Sequence, residues 1–419
     1  MIHRAPWVVA DVAAEIYGDC RGIIEDGAVV VSEGLIRDVG KSKDIFREFG
    51  TLPVREHESG ALVPALVNSH CHLELSYLDL TEAENNQDVY ANDFTLWIRD
   101  LLKARDKYLP DNTHGETQIQ TLAHRVLQEM SAEGIGFVGD MGNSLESRTI
   151  GKGHGTEVRF LLELLGLTRE AEAQALARLE KVFSDDSLDV SCTAHAPYST
   201  TATAIRKIKD TAELQAGIFS IHTAESLQEV EFLQAGKGCF LDFLNERGAW
   251  DNTFKVPGMG PVHYLDSLGV LNDKTLCVHV VHVNDDEIEI LAARKAKVCL
   301  CPGSNRFLGV GKAPVTEFLS CGIFPSLGTD SKASNAVLSM WREMRLLRED
   351  HPELSPATVF SMATLGGAEA WCIASVMGTL APGKQAGILT VEYPDYVSTG
   401  EDLLEYMTTV GESVPVGWA

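Results

Sequence analysis

The chain has 419 residues, 45% of them hydrophobic and 23% charged, as expected of a soluble globular protein with a large core. Its 35 Lys and Arg against 60 Asp and Glu leave a formal charge of −25, which argues against nucleic acid or an anionic membrane as partner. No apolar run is long enough to span a bilayer, and the opening MIHRAPWVVADVAAEIYG lacks the pattern of a secretion signal, so a cytoplasmic protein is expected.

In chain order, the first sixty residues read as short strands and turns, with GAVVVSEGLIRDVG (27–40) alternating and turning at Ser32–Gly34. From residue 63, apolar β-branched runs alternate with longer segments of helical period. The runs are ALVPALVNSH (61–70), IGFVGDMG (135–142), VRFLLELLG (158–166), DVSCTAHAP (189–197), GIFSIHTAE (217–225), TLCVHVVHV (275–283), KVCLCPGSN (297–305) and IFPSLGTDS (323–331). Between them, TQIQTLAHRVLQEMSAEG (117–134) ends in the Gly that follows a helix, and VNDDEIEILAARKA (283–296) starts acidic and ends basic. A further helix is expected over 357–372. Eight strands separated by helices predict an α/β fold, a (β/α)8 TIM barrel over 63–376. Residues 377–395 return to turns and short strands, so 1–62 and 377–419 read as two parts of one small β-sandwich domain. The nine cysteines are scattered, and Cys192, Cys277, Cys299 and Cys301 sit inside apolar runs, which fits reduced thiols packed in a core.

Polar residues gather at the ends of these runs. His70 and His72 close the first, two apart and so on one face of an extended segment. His195 ends the fourth, His222 and Glu225 the fifth, His279 lies in the sixth, and Asp330 ends the eighth. In a parallel barrel these ends open on one rim, where the active sites of such folds sit. The imidazoles of His70, His72 and His222 with the carboxylate of Asp330 suit one divalent ion, zinc or iron, and leave a position for water. Such an ion lowers the pKa of that water towards neutrality, and Glu225 and His279 remain as acid/base groups beside it.

Together PALVNSHCHLELS, HAPYS, HTAES, the segment 278–310 and LGTDSKASN resemble the metal-dependent amidohydrolase superfamily, above all its mononuclear deaminases. The resemblance runs along essentially the whole chain, through GTLAPGKQAG. It implies His70, His72, His222 and Asp330 as metal ligands and Glu225, His279 and Asp330 as catalytic groups. No Lys stands at the end of the fourth run, so a carboxylated lysine is not implied. The H-x-E…P-C-x-x-C signature of the unrelated helical zinc deaminases is absent.

Within that branch the chain is similar to deaminases of 5′-modified adenine nucleosides, which act on S-adenosylhomocysteine, methylthioadenosine or aminodeoxyfutalosine. It departs from the first two groups at Leu96, where they have a Glu before the Trp of the first barrel helix, and at LCPGSN, where they read H-N-P-x-S-N. HLELS, LCPGSNRFLG and GTDSKASN are more similar to the aminodeoxyfutalosine deaminases of menaquinone biosynthesis. Substrate contacts are then expected from His195, Glu74, Trp97 and Arg306, the last towards the benzoate of that small-molecule substrate, while His282 reads as structural. The alternatives are S-adenosylhomocysteine, methylthioadenosine or adenosine as substrate, or a pyrimidine, guanine or triazine, the last with a chlorohydrolase-like reaction. A catalytically silent binding protein is a third reading, opposed by the six filled key positions. Monomer and homo-oligomer both stay open.

Overall fold

Alternation in the first sixty residues becomes a hairpin. The computed structural model describes every residue except 13–21, 79, 81–86, 109–114, 152–154, 186, 189 and 252. In it β2 (Gly22–Ser32) and β3 (Leu35–Lys41) pair antiparallel across a two-residue turn. Glu33 and Gly34 take φ of 56° and 73°, the left-handed pair that a tight hairpin requires. Strand β1 (Ile2–Asp11) lies on the other side of β2. With β4 (Val54–Glu56), β5 (Gly60–Pro64), β14 (Ile388–Glu392) and β15 (Val416–Trp418) they form one seven-stranded sheet, ordered β15-β14-β5-β1-β2-β3 with β4 on β1. Both ends of the chain thus share hydrogen bonds in a single sheet. A second layer of a sandwich does not show among the described strands.

All eight apolar runs form strands. They are β6 (Leu66–Cys71), β7 (Ile135–Gly142), β8 (Glu157–Leu164), β9 (Ser191–Ala194), β10 (Phe219–Thr223), β11 (Thr275–His279), β12 (Lys297–Leu300) and the two-residue β13 (Ser326–Leu327). They make two parallel sheets, β6-β7-β8-β9 and β10-β11-β12-β13. The sheets touch at both outer edges. Past β13, the N–H groups of Thr329 and Asp330 donate to His70 O at 3.1 and 3.0 Å, and Asn68 clamps the same seam by bonding Thr329. Past β9, His195 O accepts from the His222 N–H at 2.9 Å.

Helices fill the intervals, as their periods predict. Gly115–Ala132 is one, closed by Gly134 at φ 86°. Asp285–Arg294 is another, with a reciprocal cap between Asn284 and Glu287. The stretch 357–372 is less regular: Pro356–Ser361 runs into a π-turn over Met362–Gly366 before Gly367–Ala370. That detour seats Trp371, whose Nε1–H donates to Ser69 O at 3.0 Å and whose ring packs so tightly on Gly139 that no side chain fits there. Cys299 and Cys301 are buried in the same apolar cluster as Trp371, the packing role their setting predicts, and every described cysteine is free. No described helix is long and apolar enough to cross a membrane.

Candidate active site

An extended chain sends His70 and His72 to the same side as β6 ends. Their rings meet edge to face with centroids 4.8 Å apart. His222, next to last in β10, brings a third ring 4.9 Å from His70 and 5.5 Å from His72. His279 ends β11 with its ring 5.5 Å from that of His222. Asp330, just past β13, sets Oδ1 3.8 Å from His70 Nε2 and 3.6 Å from His72 Nε2. Asp330 and His279 both hold left-handed backbone, at φ 58° and 71°. For non-glycine residues that conformation costs on the order of 1–3 kcal/mol and persists only where the surroundings enforce it. Here His70 O holds the Asp330 N–H.

Hydrogen bonds aim the donor atoms. His72 Nδ1 lies 3.0 Å from Met141 O and His222 Nδ1 2.9 Å from His195 O, so each Nδ1 carries the proton and each Nε2 keeps its lone pair. The hydroxyls of Ser304 and Ser334 donate to Asp330 Oδ2 at 2.6 and 2.9 Å, which leaves Oδ1 to the histidines. His70 is fully buried, and among the described residues neither of its ring nitrogens has a hydrogen-bond partner. Leaving a buried polar atom unpaired costs about 1–3 kcal/mol. A cation at the centre would remove that cost. Donor atoms of His70, His72 and Asp330 lie within 4.8 Å of one another, as do those of His70, His222 and His279, and of His72, Glu163 and His222. This donor set can hold a divalent ion.

Burial governs the protonation states. It holds His70 well below the ordinary histidine value, aided by the rings of His72 and His222, and it lowers His222 as well. The neutral imidazoles that result are the form that binds metal. Glu225 is pushed up to about 8, by burial first and by repulsion from Asp330 next, so it carries a proton at neutral pH. Its Oε1 lies 3.6 Å from His279 Nε2, a ring that burial lowers. For Asp330 burial opposes ionisation, but His72, His279 and the Ser304 hydroxyl outweigh it and hold the carboxyl below its usual range. A protonated acid and an ionised base therefore share one histidine cluster, the division of roles that acid/base catalysis needs.

His195 also reaches the cluster, its ring 4.9 Å from that of His222 and its Nδ1 2.6 Å from Ser199 Oγ. Burial lowers it to about 4. Trp97 lies against Phe94 and donates its Nε1–H to Ala333 O at 3.0 Å. Glu74 is buried, and its carboxylate accepts from the N–H groups of Asn143 and Ser144 and from the Ser147 hydroxyl. The Arg306 guanidinium donates to Glu349 and Asp350 at 2.6 and 2.8 Å. His282 follows a break in the strand, because His279 and Val280 are both left-handed and end the alternation.

Two acids that no motif singles out, Glu163 and Asp140, are buried here too. Asp140 Oδ1 accepts the Leu73 N–H at 2.8 Å and so holds the chain just after His72, while burial pushes its carboxyl up to about 8. The signal for both was an acid inside an apolar strand run, a place charged residues rarely occupy unpaired. A cleft of 1120 Å³ at the opposite strand ends, lined by Glu157, Ser191 and Gly217 among others, contains none of the site residues.

Residues 61–412 match the amidohydrolase family. The chain belongs to that family. It is a hydrolase acting on carbon–nitrogen bonds. Over 94% of its length it is 29% identical to a 5-methylthioadenosine/S-adenosylhomocysteine deaminase of Pelotomaculum thermopropionicum, covering 87% of that protein. It is 27% identical to an aminodeoxyfutalosine deaminase of Nitratiruptor sp., with 91% of each chain covered. The crystal structure of Helicobacter pylori aminofutalosine deaminase in complex with methylthio-coformycin superposes with a TM-score of 0.81 over 99% of this chain and 97% of that one, at 23% identity, a likeness of fold.

Proposed function

We propose that this amidohydrolase is a metal-dependent deaminase of an adenine nucleoside extended at its 5′ side, with aminodeoxyfutalosine as the substrate and ammonia as the leaving group. The observation that carries this is the pair Glu225 and His279, 3.6 Å apart beside the histidine and Asp330 donors. Relatives named for deamination of aminodeoxyfutalosine and of methylthioadenosine or S-adenosylhomocysteine support the class. The departures at Leu96 and at LCPGSN favour the former over the latter.

His70, His72, His222 and Asp330 would hold the ion, and three nitrogens with one carboxylate oxygen suit zinc, with ferrous iron the alternative. When bound, the ion acidifies water and polarises the attacked carbon's substituents. The chain's own groups move the protons. As water adds to C6 of the purine, Asp330 Oδ1 accepts its proton and Glu225 gives its own to N1. Asn305 Oδ1 lies 2.9 Å from His279 Nδ1, so that nitrogen carries the ring proton and Nε2 is an acceptor in the neutral ring. His279 therefore has to take over from Asp330 the proton that water released before it can donate one to the new oxygen. The proton held by Asp330 or His279 then passes to the exocyclic amine, ammonia departs, and the C6 hydroxyl proton returns to Glu225. Atoms balance: water enters, ammonia leaves, and the base becomes hypoxanthine.

The bonds at both seams support reading the two parallel sheets as one closed barrel over 63–376, its site on the C-terminal rim. His195 and Trp97 remain proposed substrate contacts. Glu74 and Arg306 already bond within the chain, so either would have to exchange partners to bind substrate. The test is release of ammonia, followed with purine absorbance, from aminodeoxyfutalosine, methylthioadenosine, S-adenosylhomocysteine and adenosine. Turnover of pyrimidines or triazines with none of these nucleosides would overturn the proposal.

A further inference from the structure

A charged side chain inside an apolar strand is costly unless something answers it. Glu163, next to last in β8, is buried with its carboxylate beside the histidine cluster. Its Oε2 accepts from Asn143 Nδ2 at 3.2 Å. Oε1 lies 3.7 Å from His222 Nδ1, but that nitrogen already donates to His195 O. Oε1 is therefore an acceptor that meets no hydrogen-bond donor among the described residues. A separate cation does not answer it, since His72 and His222, the donors it groups with among the described residues, serve the ion site.

Strand order indicates what does. Glu225 follows β10 and His279 ends β11, neighbours in one parallel sheet, whereas Glu163 lies in β8 and His195 follows β9 in the other. The reacting ring has to lie against Glu225 and His279 for proton transfer. The unreactive part of the substrate then extends towards β8 and β9. Resting on the nucleoside function proposed above, we infer that Glu163 is a specificity-determining residue whose Oε1 accepts a hydrogen bond from a sugar hydroxyl. A buried acceptor of this kind favours a substrate that brings the hydroxyl and rejects one that leaves it unpaired.

The test compares wild type, Glu163→Gln and Glu163→Ala on adenosine and 2′,3′-dideoxyadenosine by purine absorbance, with metal content measured in each protein. Gln keeps the shape and an oxygen for Asn143 but loses the charge. The wild type is expected to favour adenosine in kcat/KM by about ten- to a hundredfold, the worth of a hydrogen bond to a charged group. Glu163→Gln should shrink that ratio and keep its metal, and Glu163→Ala should bring the ratio to about one. A ratio unchanged in both variants, loss of metal or of all turnover in Glu163→Gln, or a wild type indifferent to the two nucleosides overturns this role and leaves the nucleoside function standing. A wild type that deaminates no adenine nucleoside overturns both.

Discussion

The Ser304 hydroxyl donates to Asp330 Oδ2 at 2.6 Å, and Ser334 joins it at 2.9 Å. Two donors on one oxygen fix the carboxylate so that the other oxygen meets His70 and His72. Partners of this kind are typically worth about 10–100-fold in metal affinity or activity. Replacing both serines by Ala is therefore expected to weaken metal retention by about that factor, read by competition with a chelator. Unchanged retention in the double variant would show that Asp330 needs no outside hold.

Direct ligands should matter more. The purified protein is expected to carry about one divalent ion per chain, and His70→Ala and His72→Ala to lose it together with activity. Elemental analysis of the three proteins is the measurement. Full metal and full turnover in both variants would remove these histidines from the centre.

Glu225→Gln is expected to keep the ion and lower kcat by ~10²–10⁴, because an amide cannot deliver the proton to N1. The pH profile carries the same idea. Burial raises Glu225 to about 8, and the proposed proton transfer to N1 needs its protonated form. Turnover should then be level in Glu225 at lower pH and fall tenfold per unit above about 8. A basic limb unchanged in the residual activity of Glu225→Gln would assign that limb to another group.

Arg306 is half shared between Glu349 and Asp350. Such partly exposed pairs are worth at most ~1 kcal/mol. Arg306→Met is expected to lower the Tm by a degree or two and to affect adenosine and aminodeoxyfutalosine alike. A loss of about tenfold or more on the carboxylated substrate alone would instead make Arg306 the group that binds the benzoate.

Wherever a feature depended on residues close in the chain, it was readable from the sequence. The eight apolar runs carry their strand period locally, and each formed a strand of one of the two parallel sheets. His70 and His72 share a face because they stand two apart in an extended segment, whatever surrounds them. The helix over 400–409 was missed although Thr399 and Asp402 cap it reciprocally, a local signal that was there to read. Tertiary structure alone decided which polar side chains turn towards the cluster and which away from it. Glu74 follows His72 closely, yet Asn143, Ser144 and Ser147 take its carboxylate. Glu163 lies inside an apolar run, yet it stands beside His222. Such pairings join residues from different strands, so they follow from the register and tilt with which β6, β8 and β10 come together. Periodicity within one strand says which face a side chain occupies, but not what the neighbouring strand sets opposite it.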